Sequence, residues 1–365
     1  MTPKQNLLAA LGHREPAWIP WTPLLGGVNT PCFVPSDMKA RGDALKIGLY
    51  LQAELGCDVF DSSCVMRGNY QTAKVREKRE GDVIVSETEI LGRTLRTVVR
   101  EFPYGDQVTS AIAEYPIKSL DDIHTMEALL QDFSFKLETE EWKRKYVQLG
   151  EQGVMAGGAH ATPIMGLILL KMGLENFINL QCDHPRELHR LMDRIHEANL
   201  KAYSEAAESE CEVIYSAEDV STLLISPDMF RQYVLPTMKE YADICHGSGK
   251  LFVVHTCAHI LDFLPMFLET GIDALHYLTQ PPLGNTPLKK ARQAWGDRIT
   301  IMGSVAPAKL ESASAAEIAE ETRSMLADVG SDRSFVLMTS SKPQVPEENL
   351  RAIAEIMKQQ KGEAK

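Results

Sequence analysis

Short apolar runs recur along the chain at 18–21, 58–61, 154–157, 213–216, 251–255, 274–278, 299–302 and 335–339. Each has the length of a strand, and none shows the three- and four-residue spacing of a helix. That helical spacing appears instead between the runs, in the segments 185–208, 227–246, 315–329 and 347–358. Strand alternating with helix implies a parallel sheet, because a parallel neighbour needs a crossover long enough to hold a helix. Eight such runs predict an α/β fold, a single (β/α)8 barrel of TIM type over residues 1–365.

Two segments add to that pattern. Thr2 as a cap, Pro3 at the first helical position, apolar Leu7, Leu8 and Leu11, and Gly12 beyond them predict a short opening helix. The long gap between the second and third runs reads as alternating strands over 75–101, with turn signals at Gly81-Asp82 and Gly92. This reads as a β-hairpin insertion of about 65–150 at the barrel rim. No Gly/Ser-rich or Pro-rich linker marks a domain boundary.

Composition narrows the function classes. A 365-residue chain with 44% hydrophobic residues buries a large core. It has 38 basic against 50 acidic residues, a formal charge of −12 with no Lys/Arg run to track phosphates, so a nucleic-acid partner is not expected. The start of the chain lacks a basic segment followed by an apolar one, and the longest apolar stretch, near 164–170, is too short to span a bilayer. A cytoplasmic protein without membrane association is expected. Cysteines at 32, 57, 64, 182, 211, 245 and 257 are odd in number and scattered, unlike a disulfide framework.

A barrel builds its active site at the C-terminal ends of its strands, so polar residues closing each run are the candidates. They are Asp61 and Ser62, His160, Glu218 and Asp219, then His255, Cys257 and His259, then His276, Ser304, and Ser340 with Ser341. Residues i and i+2 of a strand share a face, so His255 and Cys257 can approach one ion together. Imidazole and thiolate favour zinc, and a catalytic zinc takes about three protein ligands with one position open. His259, His276, Glu218 or an earlier thiol can supply the third; Glu218 is preferred because it closes the adjacent strand. Asp61, His160, Glu218 and His276 are the candidates for catalytic proton transfer or charge stabilisation. Gly157-Gly158 and Gly303, the last with Ser304 as cofactor contacts, permit close approach of a ligand. Each has a structural alternative: Glu218-Asp219 as the lead into the next helix, His160 and His276 as core histidines, and the glycines as sterically required corners.

The segments TPKQNLLAALGHREPAWIPW, SAEDVSTLLISPDMFRQYVLP, HTCAHI, ETGIDALHYLTQPPLGNTPLKKARQAWGDRITIMGSVAP and PEENLRAI resemble the uroporphyrinogen decarboxylase superfamily. The similarity runs over nearly the whole chain and implies a single barrel with its site in the mouth. Decarboxylases of this superfamily resemble one another in an arginine-rich stretch after the first strand, which grips a polycarboxylate. The corresponding TPLLGGVNTPCFVPSDMKARG has no arginine before Arg41. His255, Cys257 and the segment SETEILGRTLR resemble instead the corrinoid-dependent methyltransferases, in the O-demethylase-type branch. Two departures stand out: Met338-Thr339-Ser340-Ser341-Lys342 lies where many zinc-using members have a further cysteine, and Ala258 replaces the glycine that follows the His-x-Cys pair.

The resemblance therefore implies a zinc-assisted enzyme that moves a methyl group between an O-, S- or N-methyl small molecule and the cobalt of a separate corrinoid protein. The alternatives are a metal-free decarboxylase of a smaller acid and a non-catalytic tetrapyrrole-binding barrel. Zinc on His255, Cys257 and Glu218, a corrinoid (cobalamin) brought by a partner protein, and a homodimer left open complete the expectation.

Overall fold

The computed structural model describes all residues except 27–28, 63–66, 106, 137–138, 331–332, 341 and 364–365. Seven parallel strands form one curled sheet in the order Trp21–Pro23, Phe335–Thr339, Thr300–Ser304, Ala274–Leu278, Leu251–His255, Val213–Ala217, Gly157–Ala159. Apart from the join of the first strand to the last, the order follows the chain, as successive right-handed crossovers produce. Val59–Asp61 pairs in parallel with Gly153–Met155, the first part of the third strand, which breaks at Ala156 before continuing. The backbone N–H of Asp58 donates to the Trp21 carbonyl at 2.8 Å, joining this pair to the first strand, and that of Ala156 donates to the Asp61 carbonyl at 2.9 Å, continuing the ladder within the pair. The arrangement is a curled parallel α/β sheet consistent with a TIM-type barrel, and all eight apolar runs contribute strand residues to it or to the pair beside it.

The strands are apolar on both faces because both are covered. Phe60, Val154, Val213, Val253, Ala274, Met302 and Val336 pack with one another and with Leu7, Ala10 and Leu11 of the opening helix Pro3–Leu11. Residues of the opposite parity, such as Ile214, Phe252, Val254, Leu275 and Ile301, belong to the larger cluster shared with the surrounding helices. The opening helix is capped by Thr2 in a reciprocal arrangement with Gln5. It closes the end of the sheet where the strands begin: the Thr300 hydroxyl donates to the Ala10 carbonyl at 2.7 Å. The opposite end, where the strands finish, is left for the site.

Helices Pro185–Glu208 and Ala315–Val329 have the expected bounds, and the last helix runs Glu347–Glu363. The segment 227–246 is a helix interrupted by a π turn at Phe230–Val234. Pro236, which has no N–H to donate to the preceding turn, stands just after that interruption. The first run differs more, since the strand starts at Trp21, and Trp18 is held before it by the Asn6 side chain.

More structure follows the second strand than one hairpin. Lys74–Glu80, Val83–Ile90, Arg93–Tyr104 and Gln107–Glu114 form a four-stranded antiparallel meander. Its turns use Gly81, Gly92 and Gly105 at positive φ, where a side chain would be strained. Helix Leu120–Asp132, a strand Phe133–Lys136 paired with Arg67–Tyr70, and helix Glu140–Leu149 complete the gap. Helix Leu120–Asp132 turns Ile123, Met126 and Leu129 inward at three-residue spacing.

Candidate metal centre

His255 ends the fifth strand, in register with Ala217 on one side and His276 on the other. Both Glu218 and Asp219 donate their backbone N–H to the His255 carbonyl, each at 3.0 Å, so the fourth strand finishes by folding over the fifth. Asp219 has φ of 44°, a left-handed conformation that aspartate tolerates better than most residues. This kink brings its carboxylate to His255 and Cys257. The Asp219 Oδ1 lies 3.4 Å from His255 Nε2 and 3.4 Å from Cys257 Sγ. All three candidate ligand atoms lie within 4.8 Å of one another.

The spacing can be tested against a tetrahedral ion. Zinc bonds of about 2.0 Å to oxygen or nitrogen and about 2.3 Å to sulfur give tetrahedron edges of roughly 3.3–3.5 Å. Both measured separations match. The donors, one thiol, one imidazole and one carboxylate, are those zinc accepts, and all three are only partly buried, which leaves room for an open coordination position. Burial, reinforced by the Asp219 carboxylate, pushes the Cys257 thiol up to about 12, so with protein groups alone it stays protonated. A cation between the three would remove the conflict of a thiol crowded against an anion. The residues fit a divalent metal.

The other ring nitrogen of His255 is also fixed. Its Nδ1 lies 2.7 Å from Nδ1 of His276, which is fully buried and held neutral: burial, then the neighbouring His255, lowers its pKa well below the ordinary imidazole value. A neutral His276 can accept a hydrogen bond at Nδ1 from the Nδ1–H of His255, leaving the Nε2 lone pair of His255 for a metal. Rings enclose this pair: Phe60 lies 5.4 Å and Tyr215 5.3 Å from His276, and Tyr277 6.2 Å from His255. Tyr277 joins the interior because the sixth strand bulges between His276 and Leu278, with φ of 67° at Tyr277.

The carboxylate that faces the pair is Asp219's, whereas the sequence reading preferred Glu218. Glu218 is fully buried on the other face of the fourth strand. Its oxygens accept from the Thr162 N–H at 3.0 Å, the Thr162 hydroxyl at 2.9 Å and the Ser216 hydroxyl at 2.8 Å. Burial raises its pKa to about 7 despite those bonds. Parity is the signal that distinguishes the two: Val213 and Tyr215 face the barrel interior with Asp219, while Ile214 and Ser216 face outward with Glu218. With Val-Ile-Tyr apolar on both faces, the run itself does not say which face is inner.

Of the remaining candidates, His276 lies directly behind His255. Asp61 is buried at the end of the second strand, on the face of Val59 and in register with Met155. His160 turns toward Phe135, with ring centroids 4.7 Å apart, and its buried Nε2 has no hydrogen-bond partner among the described residues. At Gly303 an added Cβ would sit 3.2 Å from Leu288 and 3.3 Å from Phe335, so close packing accounts for the glycine. The Ser304 hydroxyl is buried and donates to the Leu278 carbonyl at 3.2 Å. Ser341 lies outside the described residues.

Comparison with known proteins follows the same lines. The family profile described as uroporphyrinogen decarboxylase (URO-D) matches residues 89–360. Among solved structures, a methyltransferase from Methanosarcina mazei superimposes with a TM-score of 0.62 at 18% identity, covering 98% of this chain and 99% of that one. At this identity the likeness establishes the fold. A D-psicose 3-epimerase from Clostridium cellulolyticum H10 aligns over 66% of this chain and 83% of its own at 10% identity, with a TM-score of 0.34, too low to carry an argument. No curated protein matches the sequence.

Proposed function

Because the chain belongs to the uroporphyrinogen decarboxylase family, we propose that it is a zinc-assisted methyltransferase of that family. It moves a methyl group between an oxygen, sulfur or nitrogen of a small molecule and the cobalt of a corrinoid carried by a separate protein. The observation that carries this reading is the Asp219, His255 and Cys257 cluster, spaced like the ligands of a tetrahedral ion at the ends of two adjacent strands. When bound, zinc supplies positive charge to an alkoxide or phenoxide leaving group, or keeps an acceptor thiol ionised.

The chain's own residues prepare that chemistry. Asp219, His255 and Cys257 hold the cation, and Asp219 offsets part of its charge. His276 accepts a hydrogen bond from the Nδ1–H of His255 and fixes the ring, a role that tunes both orientation and basicity. Phe60, Tyr215 and Tyr277 line the inner side and keep water from the ligands there. Decarboxylation of a polycarboxylate lacks a comparable basis, since the stretch after the first strand has no arginine before Arg41 to grip it. We place the protein in the cytoplasm, where its described cysteines, none of them in a disulfide, stay reduced. Among the described residues no helix is long and apolar enough to cross a membrane.

The test is metal analysis of protein purified without chelator, followed by methyl transfer to free cobalamin read from its absorbance. Close to one zinc per chain is expected, lost in Cys257→Ser together with methyl transfer. Metal-free protein that transfers methyl groups, or zinc content indifferent to Cys257→Ser, would overturn the reading.

A further inference from the structure

A cavity of about 290 Å³ lies between helix Leu120–Asp132, strand Phe133–Lys136, helix Pro185–Glu208 and the turn after the third strand. None of the metal-centre residues lines it. One wall is aromatic: Tyr70 and Phe133 have centroids 4.8 Å apart, Phe133 and Phe135 meet edge-on at 4.8 Å, and Phe135 meets the His160 ring at 4.7 Å. Besides Asn199, whose amide donates to the Ala161 carbonyl and the Tyr241 hydroxyl, two polar groups interrupt the apolar lining. The His160 Nε2 is buried without a hydrogen-bond partner among the described residues. Lys171 reaches the cavity, and among the described residues it pairs with no carboxylate, although the protein as a whole is strongly acidic.

We infer that this cavity is a binding site for a small aromatic carboxylate of about benzoate size, its ring against Phe133 and Phe135 and its carboxylate on Lys171. The volume supports one ring with a substituent, since a cavity of about 150 Å³ holds benzene. Flat apolar walls favour a ring, and edge-to-face contacts with Phe133 and Phe135 add to its burial. Lys171, exposed at the rim of the cavity, selects an anion over a neutral isostere by offering a carboxylate a charge-assisted hydrogen bond. His160 supports the same choice of a neutral lining apart from Lys171. Burial first, then Lys171, lowers its pKa to about 4, so its unpaired nitrogen meets the ligand uncharged at neutral pH. The site stands independently of the methyl-transfer reading, because its residues and its ligand differ from those of the metal centre.

The experiment is calorimetric titration of the full chain with benzoate and with benzyl alcohol, its neutral counterpart. Wild type should bind benzoate more tightly than benzyl alcohol. Lys171→Met keeps the apolar stem and removes the charge, so it should weaken benzoate about tenfold or more while leaving benzyl alcohol within about twofold. Ala198→Phe fills the cavity and should abolish both, with circular dichroism confirming the fold; Ala198→Leu serves if that variant does not fold. Zinc content should stay unchanged in every variant, which separates failure of this site from failure of the metal centre. Benzoate binding unaffected by Lys171→Met or by the cavity-filling variant, or no benzoate binding up to about 10 mM, overturns the assignment.

Discussion

Asp219 and Glu218 are neighbours with opposite surroundings, and exchanging each for its amide separates their roles. Asp219→Asn keeps the shape and one neutral oxygen beside His255 Nε2 and Cys257 Sγ, both 3.4 Å from the present Oδ1, but removes the charge. Structural zinc held by four protein ligands is bound with about 10–16 kcal/mol, so one ligand accounts for roughly 2.5–4 kcal/mol. The amide oxygen restores part of this, and a fall in zinc affinity of about a hundredfold to a thousandfold is expected, since about 1.4 kcal/mol is a factor of ten. Glu218→Gln should leave zinc affinity within about threefold, because its oxygens are occupied by Thr162 and Ser216 on the outer face. A glutamine can keep its oxygen on the Thr162 N–H and direct its amide to Ser216, so its stability should change by only about 1 kcal/mol. The assay is competition with a chromophoric zinc chelator, alongside urea unfolding of the metal-free variants. Zinc lost from Glu218→Gln and retained by Asp219→Asn would refute the parity argument and restore the ligand set read from the sequence.

Other outcomes follow from the same geometry. His276→Phe removes the partner of His255 Nδ1 and should weaken zinc about 10- to 100-fold without removing a ligand, measured by the same competition. Asp58 is buried and its carboxyl is raised from 3.8 to about 6, chiefly by that burial. A raised folded-state pKa stabilises the fold below the unfolded value, and the contribution is lost as pH rises through 6. Between pH 4.5 and 7 wild type should lose about 2 kcal/mol more stability than Asp58→Asn, seen as a difference in urea midpoints. Gly303→Ala should cost about 1–3 kcal/mol through crowding of Leu288 and Phe335, with zinc content unchanged in thermal-melt and metal assays.

The run and helix rhythm determined the barrel because both faces of each strand are buried, so apolar residues accumulate regardless of parity and mark the strands plainly. His255 and Cys257 were legible for a local reason: two residues apart at a strand end, they share a face in any such fold. The charge and cysteine pattern limited the function classes equally early. Other features depended on contacts distant in sequence. That Asp219 rather than Glu218 faces the pair follows from which face of the fourth strand is inner, and from a left-handed turn held by two bonds to the His255 carbonyl, neither recorded in residues 213–219. The place of His276 behind His255 required the register of two strands. Lys171 and His160 gained a shared cavity only when helix Leu120–Asp132 and strand Phe133–Lys136 packed beside the third strand. Local periodicity decides where strands and helices lie, because it reflects burial of each residue's own face. Which side chains meet is decided by packing between elements far apart in the chain, and those contacts leave no periodic trace.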